Sequence, residues 1–258
     1  MLVATISTVV VFGLVGWIIV TSPGWPRFQA QFFDSTVFDY ALPRVFAGLL
    51  VNVSFFLVAE ALVLVFALVL AAMRSLKGPV FMPIRLFAII YIDLFRGLPS
   101  ILIIYILGFG IPALGIPGLT TDVYVWALVA LVLTWTAYVA EVYRSGIESV
   151  HPSQEAAARS LGLSGYQTFR YVVLPQAVRR VVPPLLNDGI GLMKDTALIS
   201  FLGPIEAFRR SQMIEGARFN FTPYVVSAML FLLLTVPLSR IVDRMIQRDR
   251  ERYLAGAR

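Results

Sequence analysis

The chain has no cysteine, one histidine and two lysines among its 258 residues. Without cysteine there is neither a disulfide frame nor a thiolate metal site. With His151 alone, a histidine-based metal cluster is excluded. Any Ser–His–acid triad would have to use the same residue. It stands beside Pro152 in a polar stretch with no G-x-S-x-G pattern, so an ordinary loop histidine is the simpler reading. Lys77 and Lys194 are followed by Gly78 and Asp195. A phosphate-cradling P-loop needs Lys followed by Ser or Thr after a Gly-rich run, so the chain carries no ATPase motif and is not read as an enzyme. Internal repeats and low-complexity runs are also missing. Charge is scarce at 14%, where a soluble domain carries about a quarter.

What fills the space is apolar: 59% of residues are hydrophobic and the mean hydropathy is +0.82. Such a chain needs a bilayer as solvent, and a spanning helix needs roughly 20 apolar residues. Five stretches qualify, at about Leu2–Val20, Leu49–Met73, Leu86–Leu107, Val123–Ala140 and Tyr224–Leu238. A sixth, Val181–Leu202, is interrupted by Pro183, Pro184, Asn187, Asp188, Lys194 and Asp195. The fold class is therefore an all-α integral membrane protein with about six transmembrane helices.

Charge sets the topology. The 141–180 loop holds Arg144, Arg159, Arg170, Arg179 and Arg180, and the tail holds Arg240, Arg244, Arg248, Arg250, Arg252 and Arg258. Both belong in the cytoplasm under the positive-inside rule. Two cytoplasmic segments need an even number of crossings between them, so Val181–Leu202 partners Tyr224–Leu238 and turns its polar residues inward. Arg74, Lys77 and Arg85 agree, and the basic-free 108–122 loop goes outside. Arg209, Arg210 and Arg218 disagree, since this count puts them outside. Both termini then lie in the cytoplasm. Leu2–Val20 lacks a basic n-region and a small-residue cleavage site, so it reads as a retained helix and not as a signal peptide. The net charge of +6 is explained by cytoplasmic loops, with no nucleic acid partner implied.

The long 141–180 loop is amphipathic and too polar to span. Ser153 can cap a helix through its hydroxyl, Gln154 to Leu161 is Ala-rich, and Gly162 stands where a helix should end. Small Ala side chains let a partner approach closely. A helix lying on the lipid interface uses the same apolar stripe and remains an equal alternative on composition.

Several motifs, in order, resemble those of ABC-importer permeases, and within them the polar amino acid uptake branch. From Gly162, nine residues lead to Val172-Val173-Leu174-Pro175, in register with the end of the EAA signature. Phe95-Arg-Gly-Leu-Pro99 resembles F-R-G-T-P, Ala137-Tyr-Val-Ala-Glu-Val-Tyr-Arg144 resembles A-Y-x-A-E-x-x-R, and Lys194-Asp-Thr-Ala-Leu198 resembles K-D-T-S-L. Three departures stand out. Ala156 occupies the signature's Glu position with Glu155 one residue early, a rotation of about 100° on a helix. Leu98 replaces Thr, and Ala197 replaces Ser. The resemblance implies an N-terminal helix and extracellular loop over residues 1–43, a permease core over 44–250 containing the EAA loop, and a cytoplasmic tail over 251–258. The family core has about five helices, so the first span lies outside it.

The resemblance further implies a multi-pass protein of the bacterial cytoplasmic membrane. Its EAA loop would form a cytoplasmic coupling helix, with Glu155, Ala157, Ala158, Leu161 and Gly162 meeting a cytoplasmic ATP-binding subunit. A second permease subunit, identical or homologous, and an extracellular substrate-binding protein complete the set. No cofactor is expected in this chain, ATP and Mg belonging to the ATPase. For an amino acid substrate, which offers a carboxylate and an ammonium, the candidates are the costly polar groups within spans: Asn52, Glu60, Asp93, Arg96, Asn187, Asp188, Lys194, Asp195 and Thr196. Asp93 with Arg96, and Lys194 with Asp195, can equally be structural pairs. Tyr91, Tyr105, Tyr138 and Tyr143 read as packing or belt residues. The rival class is a secondary transporter working alone on an ion gradient, which would have no use for an exposed Ala-rich helix.

Overall fold

The computed structural model describes residues 2–255, with side chains from 5 to 248, and among these every regular element is helical. The first helix, α1 (Leu2–Val20), is the expected N-terminal apolar segment. It lies outside the bundle, with Phe12 73% and Trp17 66% exposed. The stretch expected as a loop carries a second helix, α2 (Trp25–Phe32), started by Pro26 near its first position, where a missing N–H costs nothing. Aromatic rings hold α2 to the far end of the chain: Trp25 stacks on Phe28, Phe28 on Phe32, and Phe32 on Phe221 at 5.2 Å. Asn220 donates to the Ala30 carbonyl at 2.9 Å, and the Phe221 N–H donates to Gln31.

Asp34 starts α3 (Ser35–Ser75) by accepting from the Thr36 and Val37 N–H groups at 2.8 and 3.1 Å. These are donors that a helix start otherwise leaves unpaired. The expected span Leu49–Met73 is thus the C-terminal part of a 41-residue helix. The expected Leu86–Leu107 span is not continuous. It divides into α4 (Met82–Gly97) and α5 (Ser100–Tyr105), the latter continued through a π-type turn, Ile106–Gly110, into α6 (Ile111–Ala113). The two halves meet at 106°. Pro99 is the cause: it disfavours helical backbone at the residue before it, and Leu98 is extended at φ −101°, ψ 140°.

Next come α7 (Val123–Glu148), α8 (Pro152–Ser160), α9 (Gly165–Thr168) and, after a second π-type turn at Phe169–Val173, α10 (Leu174–Asp195). Pro183 and Pro184 lie inside α10 without ending it. The expected Val181–Leu202 span is therefore the C-terminal part of α10 plus a 3₁₀ segment, Thr196–Leu202. Finally α11 (Ala207–Arg218) fills the segment after it, and α12 (Thr222–Ala255) closes the chain. All six expected spans fall on helices, the third broken at Leu98–Pro99. Among the described residues three helices are long and apolar enough to cross a membrane, or four if the bent α4–α5 pair counts as one span.

Two large apolar cores hold the bundle together, beside a small cluster of Val150, Val173 and Ala177. One joins the C-terminal half of α3 to α4, α5 and α7 around Ala59, Val63, Ile92, Ile104 and Leu131. The other joins the N-terminal half of α3 to α11 and α12 around Ala41, Val45, Ile214 and Val226. Adjacent residues of α10 divide between them, Leu192 in the first and Met193 in the second. Outside these cores large apolar side chains such as Leu57, Phe87 and Leu233 stay exposed. So broad an apolar exterior marks a surface that something other than water covers.

Arg218, one of the basic residues at odds with the charge rule, has a local partner. Its guanidinium lies 3.9 Å from the Tyr40 ring centroid, and that of Arg44 lies 3.7 Å from the same ring. Where α11 meets α3, Gly48 has no room for a side chain. A Cβ there would stand 2.7 Å from the Ala207 nitrogen and the Glu206 carbonyl carbon, both backbone atoms that cannot swing aside. Overpacking of this kind costs about 1–3 kcal/mol or more. Gly48→Val is expected to lower the thermal midpoint of the detergent-purified protein by several degrees; an unchanged midpoint would show that α3 and α11 can part freely.

Candidate translocation site and coupling surface

The polar residues expected within the spans separate into distinct groups. Glu60 on α3, Asp188 on α10 and Arg96 on α4 form the first. Glu60 and Asp188 are half-buried and repel each other, while Arg96 attracts Asp188 and Glu141. Glu60 reaches this point because Gly189 has no side chain: a Cβ there would lie 3.6 Å from Glu60 Oε1. Arg96 stands 5.6 Å from the Tyr138 ring centroid, a favourable cation–π approach. Tyr143 senses the charge of Glu60, so two of the tyrosines expected as packing residues also face charge. Tyr91, by contrast, gives its hydroxyl to the Leu133 carbonyl at 2.7 Å and packs. Neither expected local pair forms an ion pair among the described residues. Asp93 is exposed without Arg96, and Lys194 is exposed away from Asp195.

Asp195 faces α7 and α5. Its Oδ2 accepts from the Trp135 indole N–H at 3.2 Å. Lys194 instead borders a cleft of about 500 Å³ between α10 and α12, with Phe208, Tyr224 and Thr235. Asn187 borders another of about 580 Å³ with Pro183, Ser239 and Asp243. A mostly apolar cavity of about 420 Å³ between α3, α4 and α7 holds none of the candidates.

Asn52 and Thr196 are wholly enclosed. The Asn52 amide donates to Thr196 Oγ1 and Glu206 Oε2, both at 3.0 Å, and its oxygen accepts from the Ala207 N–H at 3.0 Å. Glu206 was not foreseen. It is also wholly enclosed and caps α11, accepting from the Phe208 and Arg209 N–H groups at 2.8 and 2.7 Å.

In the segment before α10, packed on α9 and the π-type turn, lies α8. Its cap is not Ser153 but His151: the imidazole Nδ1 accepts from the Ser153 N–H at 3.2 Å, and the Ser153 hydroxyl turns back to the same nitrogen. Pro152 then supplies the first helical position, leaving Ser153 already inside the helix. The end is as expected. Gly162 adopts φ +86°, its N–H reaches Arg159 and the Leu163 N–H reaches Ala158, the two bonds of a Schellman motif. Glu155 pairs with Arg159 at 2.8 Å. The expected contact residues do not share one face. Ala157 is exposed and Leu161 is 84% exposed, but Ala158 is buried at 5% and turns toward its own chain. Nearby, Arg144 bonds Glu141 and Glu148, and Arg74 reaches Glu141 at 2.7 Å, tying the C-terminal ends of α3 and α7 together.

A multi-helix apolar bundle with a polar, proline-bearing helix among its members and one short, largely exposed helix beside it is the architecture of a membrane component. The chain belongs to the family of binding-protein-dependent transport system inner membrane components, whose pattern matches residues 64–251. It is 32% identical over 212 residues to the putative glutamine transport system permease protein GlnP of Rickettsia conorii, covering 80% of this chain and 95% of that one. It is 31% identical to the probable glutamine ABC transporter permease protein GlnM of Bacillus subtilis, covering 70% of this chain and 83% of that protein. A chain from the crystal structure of an amino acid ABC transporter with histidines superposes at TM-score 0.74 with 29% identity, over 80% of this chain and 94% of its own. The MetNI methionine ABC transporter in inward-facing conformations shares the fold at TM-score 0.64 and 18% identity.

Proposed function

We propose that this chain forms the translocation path of an ATP-driven amino acid importer of the cytoplasmic membrane. The observation that carries the substrate class is the juxtaposition of Arg96, Asp188 and Glu60 from three different helices. A guanidinium fork suits a substrate carboxylate, and the two carboxylates suit its ammonium. Each substrate charge needs such a partner once it leaves water. That the relatives above are named as glutamine and amino acid permeases supports the same reading and counts against a transporter working alone.

ATP hydrolysis belongs to a separate cytoplasmic subunit, which α8 meets through Ala157, Leu161 and the turn at Gly162. A second permease copy, identical or homologous, covers part of the apolar exterior, and an extracellular binding protein delivers the substrate. With α8 inside, both termini are cytoplasmic, and the α11–α12 turn with Arg218 and Tyr40 is external. The two permease copies alternate as rigid bodies about the path.

The direct test is a tagged pull-down from detergent-solubilised membranes followed by an ATPase assay. Recovery of a P-loop subunit whose hydrolysis rises with substrate and binding protein is expected. A permease that comes down with no ATPase would refute the importer reading.

A further inference from the structure

Residues 195 and 196 are neighbours in sequence and are bonded in opposite directions. Asp195 accepts from Trp135 on α7. Thr196 accepts from Asn52 on α3, and through Asn52 it joins Glu206 at the start of α11. Here the last turn of α10 holds the two apolar cores together. The polar knot on the outer side has almost no slack. Thr196 passes its own hydroxyl hydrogen to the Met193 carbonyl at 2.7 Å. Both amide hydrogens of Asn52 are spent, its oxygen accepts from Ala207, and Glu206 accepts three bonds. One helical turn away on α3, Gly48 lets the Glu206–Ala207 backbone press directly against the helix. No ion pair among the described residues involves Glu206. The carboxylate is held by amides alone, and bonds to a buried charged group are costly to lose.

The other end of α10 continues without coil from α9 and a π-type turn, and α9 is joined to α8 by the four-residue turn 161–164. At 1.5 Å per residue, the 22 residues of α10 make a rod of about 33 Å, close to the hydrocarbon thickness of a bilayer. We propose that the Glu206–Asn52–Thr196 knot is the outer coupling of a lever. Displacement of α8 is carried along α10 to Thr196 and transmitted by the knot to α11, so that the outer helix follows the inner loop. Glu206 is in this sense a positioning residue that touches no substrate. The inference rests on the importer reading above.

The test uses the complete transporter, this chain with its ATPase and binding protein, in proteoliposomes where uptake and ATP hydrolysis are measured together. Thr196→Val keeps the shape and removes the acceptor. Glu206→Gln replaces one acceptor oxygen with a donor, so whichever way the amide turns it sets N–H against N–H, either that of Arg209 or those of Phe208 and Asn52. Thr196→Ser preserves the bonds. Uptake per ATP is expected to fall about tenfold in the first two, a coupling loss of ordinary size, and to stay near the parent value in the third. A loss of uptake and hydrolysis in equal proportion, or an unchanged ratio, would overturn the proposal.

Because the chain has no cysteine, spin labels at Leu102→Cys on α5 and Met213→Cys on α11 report α11 directly. Their separation should change on ATP binding in the parent and stay fixed in Thr196→Val. A change that persists in Thr196→Val, or that never occurs in the parent, overturns the lever. A parent complex without any ATP-dependent uptake would instead overturn the importer reading.

Discussion

Replacing Arg96 with Ala is expected to reduce amino acid uptake by roughly 10- to 100-fold, because a hydrogen bond to a charged group is worth about 1.5–3 kcal/mol and 1.4 kcal/mol is tenfold in affinity. The structure supplies two reasons for so large an effect at an exposed side chain. Arg96 has no ion-pair partner among the described residues, so its guanidinium is free to take a substrate carboxylate; Asp188 and Glu141 act on it only at a distance. It is also the group whose positive charge offsets the repulsion between Glu60 and Asp188. The variant therefore loses the carboxylate partner and leaves two like charges facing each other. Arg96→Lys keeps the charge and loses the planar fork, so it should fall between parent and Ala. Glu60→Gln placed on Arg96→Ala should relieve the repulsion without restoring uptake. Radiolabelled uptake into proteoliposomes at saturating binding protein distinguishes these arms. Full uptake by Arg96→Ala would remove Arg96 from the path and leave the cluster as packing.

The bundle was legible in the sequence wherever a single physical rule dominates. Apolar runs located α1, the C-terminal half of α3, α7 and α12. The arginine count pointed to a helix where α10 lies, which hydropathy alone would have missed, because charge asymmetry is independent of the helix's own polarity. Gly162 was readable as a helix end because few other residues tolerate φ +86°. The break at Pro99 was within reach of the rule on residues preceding proline, yet the apolar run on both sides of it hid a 106° turn. The cap of α8 was misplaced because Ser is the commoner cap and an imidazole nitrogen is not on the usual list.

Composition was least informative about which residues meet. Nothing local distinguishes Asp195, which bonds across to Trp135, from an ion pair with adjacent Lys194; the helix turns neighbouring residues by about 100°, and that rotation sends them to different sides. Glu206 escaped notice for a related reason. An acid after Gly203-Pro204-Ile205 looks like part of an external loop. Its burial depends on Asn52, which lies 154 positions away in the chain. Within the expected coupling face, Ala157 and Ala158 are equally small, and only the packing of α8 decides which of them is covered.

That last difference fixes how the coupling surface should be probed. Ala158→Arg is a poor probe, because Ala158 is buried at 5%: a guanidinium forced into that space would overpack it and displace α8 itself. Leu161 is the better position. It is 84% exposed, so its apolar side chain contributes little to the fold of this chain, and surface substitutions away from special features stay within about 0.5 kcal/mol. Its backbone, at φ −83°, ψ 6°, is open to Asp. If Leu161 enters a groove of the ATPase, Leu161→Asp removes an anchor whose burial is worth about 1.5–3 kcal/mol and places a charge where a dry surface is needed. Substrate-stimulated ATP hydrolysis and uptake should both fall roughly 10- to 100-fold, while the purified permease keeps its helical signal and thermal midpoint. Ala157→Arg, on the same exposed side, should behave alike, whereas Ala158→Arg should lower the midpoint as well. Normal stimulation in Leu161→Asp would return α8 to the second reading of its amphipathic stripe, a helix that lies on the lipid interface and touches no ATPase.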